Sequence, residues 1–297
     1  MSAEQHAAGH APTAGEYIQH HLQHLQMNFS FEAAKQTSIV DFSVFNLDSL
    51  FYSVVLGFLT CLVLWLAARR ATSGVPGRFQ AAVEILTEMV DKQARGLIHN
   101  PQSRKLVGPL ALTVFVWIFL MNFMDMLPVD LLPAAWHAAG PAMGFKDYMR
   151  VVPTADLSTT LGLSTSVLAV CLFYSVKIKG AGGWAHELVS APFGDHFLLY
   201  PINFLMQLIE FTAKTVSHGM RLFGNMFAGE LVFMLIALMG GVWAWNFNPA
   251  TGGFWLGVGH VIAGTAWTLF HILVITLQAF IFMMLTLIYV GQAHDAH

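Results

Sequence analysis

The longest uncharged stretch of the chain sets the class of fold, because residues 231–294 contain no Asp, Glu, Lys or Arg. A membrane-spanning helix needs about 20 largely apolar residues, so this stretch is long enough for a helical hairpin. "NFNPATGG", residues 246–253, carries the residues of a turn. Of the whole chain 56% is hydrophobic and 10% charged, whereas about a quarter of a soluble domain is charged. The sequence therefore predicts an all-α integral membrane protein.

Three further apolar segments precede the hairpin, each about one membrane thickness long. The five predicted membrane helices comprise residues 49–68, 106–124, 157–176, 201–245 and 254–291. They form a membrane domain, residues 49–297, after a polar N-terminal tail, residues 1–48. The tail is rich in histidine, but no Cys or carboxylate joins the histidines at metal-ligand spacing. We interpret it as a solvated or interfacial external segment.

The loop between the first two spans indicates the orientation, since basic residues accumulate in short cytoplasmic loops. Its basic residues are Arg69, Arg70, Arg78, Lys92, Arg95, Arg104 and Lys105. The N-terminus is therefore predicted outside and the C-terminus inside. Apolar residues of the same loop recur at helical spacing, namely Phe79, Val83, Leu86, Val90 and Leu97. They predict an amphipathic helix at the interface or against a partner, while residues 184–200 are interpreted as a cytoplasmic connector.

Polar side chains share one face of the fourth membrane helix. At about 100° per residue, they lie within about 40° of the direction of Arg221. They are Glu210, Lys214, Ser217 and Asn225. Placing Arg at the bilayer centre costs about 2.5 to 3.5 kcal/mol on insertion scales, which disfavours a role in packing alone. For Glu210 and Lys214, near the predicted cytoplasmic end, snorkelling or local pairing remains an alternative.

The hairpin is predicted to have two polar levels. Glu230 faces away from Arg221 and lies about 13.5 Å further toward the outside. If the helices turn near residue 250, Gln278 lies at the depth of Arg221 and His271 at the depth of Glu230. Straight helices cannot bring Arg221 into contact with Gln278 and also Glu230 into contact with His271. Either curved helices or water between Glu230 and His271 is therefore required. The sequence leaves both open.

The remaining polar and sulfur-containing residues indicate no cofactor. Asn122 and Asp125, at the outer end of the second span, are either simple interface residues or the lining of an external mouth. Cys61 and Cys171 lie within predicted spans, where cysteine behaves as a small apolar residue, so we expect neither a disulfide nor a metal site. A net charge of -3 and the lack of a phosphate-binding Gly-rich loop argue against nucleic-acid binding.

The segments "RLFGNMFAGEL" and "FHILVITLQAFIFMMLTLIYV" resemble subunit a of the F-type ATP synthases, the proton-channel subunit of the membrane sector. "FMDMLPVDLLP" and "PTADLS" resemble the bacterial form of the same family. The resemblance implies an essential arginine at Arg221, polar neighbours at Ser217, Asn225 and Gln278, and an outer aqueous path at Glu230 and His271. It also implies a long, tilted final hairpin against the rotor ring. The implied partners are this c-ring, the peripheral-stalk b subunits and the rest of the synthase, in the bacterial inner membrane.

Beside such a subunit, each carboxylate of the rotor ring can rotate into lipid only when it is neutral. A fixed guanidinium favours the ionised form of that carboxylate. The resemblance thus implies two offset half-channels separated by Arg221, without catalysis by this chain alone. The outer one uses Glu230 and His271, and the inner one runs along Ser217 and Asn225 toward Glu210. A self-contained proton-coupled transporter or channel is the alternative, although the sequence shows no repeat or broken-helix pair. A structural scaffold does not account for the polar stripe.

Overall fold

The computed structural model describes residues 14–30, 36, 41, 43–127, 131–132, 136, 149–190, 193–194, 196–241 and 248–293. This part of the chain is predominantly helical and includes one small antiparallel sheet. The predicted turn at 246–253 lies partly outside the described residues, as do His6 and His10 of the histidine-rich tail.

The described part of the chain contains seven α-helices, which are numbered in chain order. They are α1 (Ala14–His21), α2 (Leu47–Arg70), α3 (Arg78–Leu97), α4 (Pro101–Phe123), α5 (Leu157–Ser190), α6 (Tyr200–Gly241) and α7 (Gly252–Gln292). Strands β1 (Gln26–Asn28) and β2 (Val44–Asn46) pair antiparallel. Short 3-10 turns occur at Met124–Met126, Pro153–Ala155 and Phe197–Leu199.

Five of these helical segments are long and apolar enough to cross a membrane: α2, α4 with its 3-10 turn, α5, α6 with its preceding turn, and α7. Their exposed side chains include large apolar groups, such as Phe58 at 70% exposure, whereas Asn122 is 0% exposed. Apolar groups outside and polar groups inside are the arrangement expected when lipid is the solvent. The predicted all-α class with five spans is confirmed, and the chain is a multi-pass membrane protein.

Helix α5 extends well beyond its predicted end at residue 176. Lys177 and Lys179 end the apolar run, but lysine is a good helix former, so the helix does not stop there. Its axis instead bends at Gly180, whose positive φ of 74° is tolerated by glycine because it lacks a Cβ. Residues 184–190 are therefore helical, although we interpreted them from the sequence as a connector.

The amphipathic helix predicted between the first two spans is α3. It packs against α4 of its own chain, and its most buried residues are Val90 and Ala94, both 1% exposed. Phe79, at the start of the stripe, remains about half exposed. The apolar stripe thus serves packing within the chain at one end and leaves apolar surface at the other.

The chain divides into two compact units. The first comprises Met1–Tyr52, Met124–Pro153 and Ala228–His271. Within it Leu25 and Met27 are buried, and the amide of Leu47 donates to Leu25 O at 2.9 Å. Residues of the predicted polar tail therefore form part of a packed unit, in which β1 pairs with β2.

The second unit comprises Ser53–Phe123, Thr154–Phe227 and Ile272–His297. Its core includes Val107, Ile118, Leu222, Met283 and Leu287, each 0% exposed.

Helices α5 and α6 approach closely within this second unit. Ser164 Oγ of α5 donates to Thr215 O of α6 at 2.5 Å. A Cβ added to Gly219 would lie 3.1 Å from Thr160 O, so the small residue permits this approach. The contact lies next to Arg221 in the sequence and fixes the part of α6 that carries it.

Candidate functional site

The predicted polar stripe of α6 forms an exposed face around Arg221. Ser217, Arg221, Gly224 and Asn225 are all exposed, and their spacing places them on one side of the helix. Arg221 makes no hydrogen bond or ion pair with the residues that the structure describes. A Cβ at Gly224 would meet nothing within 4 Å. This Arg221 face therefore presents a fixed cation to whatever lies beside the helix.

Gln278 is held beside this face by α7. Its side chain is 3% exposed, and its Oε1 accepts a hydrogen bond from Asn225 Nδ2 at 2.7 Å. Asn225 lies about one helical turn from Arg221. The structure thus brings Gln278 and Asn225 together at the level that the sequence predicted for Gln278 and Arg221.

At the N-terminal end of the stripe, the charges pair locally. Lys214 Nζ lies 2.6 Å from Glu210 Oε1 and donates to Gln292 Oε1 at 3.0 Å. A cavity of about 960 Å³ adjoins this pair, and its lining includes Ser164, Lys179, Glu187, Glu210 and Lys214. Glu210 and Lys214 thus form the local pair that the sequence analysis gave as an alternative. The pair borders a cavity large enough for water.

Glu230 lies in the first unit and is buried against a partner that the sequence did not indicate. Arg150 Nε donates to Glu230 Oε1 at 3.3 Å, and Arg150 Nη2 pairs with Glu230 Oε2. The side chains are 5% and 10% exposed. A guanidinium that meets a carboxylate with two nitrogens is oriented as well as attracted. Arg150 was not singled out from the sequence, in which it stands as a cation directly before the apolar run "VVP".

Asp48 and His24 extend this group. Asp48 is 0% exposed, and its Oδ2 accepts from the backbone amides of Arg150 at 3.2 Å and Leu25 at 3.0 Å. His24 contacts both neighbours: its Nε2 lies 2.9 Å from Arg150 Nη1 and its Nδ1 lies 3.3 Å from Asp48 Oδ2. We refer to His24, Asp48, Arg150 and Glu230 as the Glu230 cluster. Two residues of the predicted external tail, His24 and Asp48, are thus part of this group.

His271 pairs with Asp125 in the same unit. His271 Nε2 lies 2.7 Å from Asp125 Oδ2, and the two side chains are 1% and 5% exposed. The His271 ring rests on Gly229, where an added Cβ would lie 2.3 Å from Cε1. Glycine is thus required for this position of the ring.

The predicted pairing of Glu230 with His271 is replaced by two pairs. Glu230 binds Arg150, and His271 contacts Asp125, while the charge of Arg150 also acts on Asp125. The positive charge of Arg150 therefore acts on the carboxylates of both Glu230 and Asp125. Neither of the two alternatives left open by the sequence, curvature or water between Glu230 and His271, included this arrangement.

Asn122 belongs to the second unit and is fully buried at 0% exposure. Neither its Nδ2 nor its Oδ1 has a hydrogen-bond partner among the described residues. A buried amide without a partner is costly, so Asn122 is better explained as part of a polar site than as a simple interface residue.

Comparison with known proteins agrees with the resemblance to subunit a of the F-type ATP synthases that the sequence shows. The family model of the ATP synthase A chain matches residues 50–291. ATP synthase subunit a of Paracidovorax citrulli (strain AAC00-1) is 67% identical over 300 residues, covering 98% of this chain and 99% of the relative. ATP synthase subunit a of Acidovorax sp. (strain JS42) is 67% identical over 298 residues with the same coverage. The corresponding protein of Verminephrobacter eiseniae (strain EF01-2) is 64% identical over 297 residues. A family match over most of the chain, together with identities far above 30% across it, shows that the chain belongs to the ATP synthase A chain family, the proton-channel subunits of F-type ATP synthases.

Proposed function

We propose that this subunit passes protons through two offset half-channels separated by Arg221, to and from the carboxylates of a rotating c-ring. The observation that carries the proposal is the exposed Arg221 face of α6, an unpaired cation on a helix apolar enough to cross the membrane. A guanidinium stays charged at any accessible pH and is costly in lipid. An exposed guanidinium without a partner among the described residues suits a carboxylate supplied by another subunit.

The outer half-channel runs through the first unit. Glu230 and Arg150 form one buried polar pair there, and Asp125 and His271 form another. Because carboxylates and imidazoles both take up and release protons, this sequence of groups can carry a proton to the c-ring. We also propose a role in proton conduction for Asn122, whose amide has no hydrogen-bond partner among the described residues and would be satisfied by water.

The inner half-channel runs along Ser217 and Asn225 toward Glu210. Both residues are exposed on the Arg221 face, and Glu210 borders the cavity of about 960 Å³. A proton that leaves a ring carboxylate beside Arg221 would reach the cytoplasm by this route. The positive charge of Arg221 repels a proton that tries to pass directly from one half-channel to the other.

The orientation and partners complete the proposal. We expect the N-terminus outside and the C-terminus in the cytoplasm, because basic residues accumulate in short cytoplasmic loops and the loop between the first two spans is rich in them. The membrane is the bacterial inner membrane, consistent with the bacterial relatives. The partners are the c-ring, the peripheral-stalk b subunits and the rest of the synthase. The chain does not catalyse ATP formation by itself.

A self-contained proton-coupled transporter is disfavoured, because it has no use for an unpaired cation on its outer surface.

Exchange of Arg221 and Gln278 tests the position of the separating charge. Gln278 lies beside the Arg221 face through its bond to Asn225, so Arg221→Gln combined with Gln278→Arg restores a cation near the same place. We expect the double variant to synthesise ATP at least about tenfold faster than Arg221→Gln alone, a difference of about 1.4 kcal/mol. The measurement is ATP synthesis in membrane vesicles with equal amounts of assembled complex. Equal rates in the double and single variants would argue against a separating charge at this level.

The contact between Gly229 and His271 gives a test of the outer path. In Gly229→Ala the new Cβ would overlap the ring of His271, so the ring must leave Asp125. Overpacking of this kind costs about 1 to 3 kcal/mol, and we expect passive proton flux through the membrane sector to fall about tenfold. Gly162→Ala is the matched control, because its Cβ meets nothing within 4 Å. Wild-type flux in assembled Gly229→Ala would show that the position of His271 does not matter for conduction.

A further inference from the structure

His218 is a buried polar residue of α6 that neither proposed half-channel uses. It is 2% exposed, and its Nε2 has no hydrogen-bond partner among the described residues. In every protonation state this nitrogen either donates or accepts a hydrogen bond, so its burial without a partner is costly. A partner from outside the described part of the chain is therefore expected.

The surroundings of the His218 ring are aromatic. Its centroid lies 3.8 Å from that of Phe282 and 5.8 Å from that of Tyr289, both on α7. A phenylalanine at this position would make similar ring contacts without burying two nitrogens, which cost free energy when they are removed from water. Packing between α6 and α7 therefore does not account for a histidine here.

The cavity of about 960 Å³ reaches to within one helical turn of His218. Its lining includes Lys214 and Thr215, which precede His218 on α6, and Tyr289, which contacts the His218 ring. A cavity of this size with polar walls holds water. A water molecule at Nε2 would find its further hydrogen-bond partners among the waters of this cavity.

Arg221 lies on the other side of His218 along α6. The two residues are three positions apart, which is about 4.5 Å along the helix axis, and the positive charge of Arg221 acts on His218. Lys214 lies about 6 Å away in the opposite direction. His218 is thus at a level between the cavity and Arg221, beside which the ring carboxylate is proposed to release its proton.

On the basis of the function proposed above, we propose that His218 binds water through Nε2 and thereby connects the cavity with the Arg221 face. A proton that leaves a ring carboxylate beside Arg221 passes to this water and then along the waters of the cavity to the cytoplasm. Each water accepts one proton and passes one on, so the imidazole undergoes no net change. His218 is a positioning residue of the inner half-channel, because it acts through the water that it holds.

The test compares His218→Phe with His218→Gln in the intact synthase. Phenylalanine keeps the ring contacts with Phe282 and Tyr289 but offers no hydrogen bond to water, whereas glutamine offers hydrogen bonds without the ring. We expect passive proton flux through the membrane sector to fall about tenfold in His218→Phe, as for loss of one hydrogen bond. The unfolding temperature of the solubilised His218→Phe complex should equal or exceed that of the wild type. His218→Gln should unfold at a lower temperature and still conduct about threefold faster than His218→Phe.

A histidine that serves packing alone predicts the opposite order of flux. His218→Phe would then conduct like the wild type and His218→Gln would conduct less, and this order overturns the proposal. If His218→Phe does not assemble, His218→Leu takes its place, because leucine is close to glutamine in size and has no polar atom. Flux in His218→Leu equal to that in His218→Gln overturns the proposal in the same way.

Tyr174→Phe is the matched control. Tyr174 of α5 is 1% exposed and belongs to the same unit, and its replacement also removes a buried polar atom while keeping the ring. We expect wild-type flux in this variant. A loss as large as that in His218→Phe would show that flux responds to any such change, and it would count against a specific role of His218.

Glu210→Gln separates this proposal from the proposed function on which it rests. If Glu210→Gln loses flux while His218→Phe conducts like the wild type, only the role of His218 fails. If both variants conduct like the wild type, the proposed inner half-channel fails as well.

Discussion

Replacing Arg221 with alanine is expected to abolish both ATP synthesis and proton-pumping ATP hydrolysis, while passive proton flux through the membrane sector remains or rises. The reason is that the exposed guanidinium has two tasks. It favours the ionised form of an arriving ring carboxylate, and its charge keeps protons from crossing between the half-channels. Alanine removes both. The measurement is ATP synthesis, hydrolysis-driven proton pumping and passive flux in inverted membrane vesicles, with assembly verified.

Arg221→Lys and Arg95→Ala are the companion variants. Lysine keeps a positive charge but lacks the planar fork and loses its proton more easily in a site of low dielectric, so we expect it to uncouple as well. Arg95 forms an exposed ion pair with Asp91, of a kind that contributes about 0 to 1 kcal/mol, and its replacement should leave coupling intact. Wild-type ATP synthesis in assembled Arg221→Ala would refute the proposed mechanism as a whole.

Loss of the Arg150 side chain is expected to have the largest effect on stability. In Arg150→Gln the buried Glu230 carboxylate loses its guanidinium, and breaking such a pair from one side costs about 3 to 5 kcal/mol. We expect less subunit in the assembled synthase and a lower unfolding temperature of the solubilised complex. Proton-driven ATP synthesis should fall with it.

The double variant separates stability from conduction. Arg150→Gln combined with Glu230→Gln removes both buried charges, so most of the lost stability should return, because a neutral pair carries a far smaller desolvation penalty. Proton flux should stay low, since an amide does not take up and release protons as a carboxylate does. Arg95→Gln is the control for loss of an exposed pair. A double variant as unstable as Arg150→Gln alone would show that the two side chains stabilise the protein independently.

The membrane architecture and the Arg221 face were predictable from the sequence because both follow from local patterns. Hydropathy over about 20 residues defines a span, and the period of 3.6 residues places Ser217, Arg221 and Asn225 on one side of α6. The boundary of α5 was not predictable in this way. Charges at Lys177 and Lys179 end an apolar run without ending a helix, and the bend is set by the backbone conformation of Gly180.

By itself, the sequence determined the class of protein, the five spans, the polar face around Arg221 and the family, since hydropathy, helical period and motif spacing are all read along a continuous segment. Only the tertiary structure decided the partners of the buried charges. His24, Asp48, Arg150 and Glu230 come from four separate segments, and two of these lie outside the membrane helices, where no periodic pattern relates one residue to the next. Asp125 and His271 likewise meet through the space left by Gly229. Such contacts depend on how distant segments pack, because the cost of burying a charge is offset by whichever opposite charge the fold brings near.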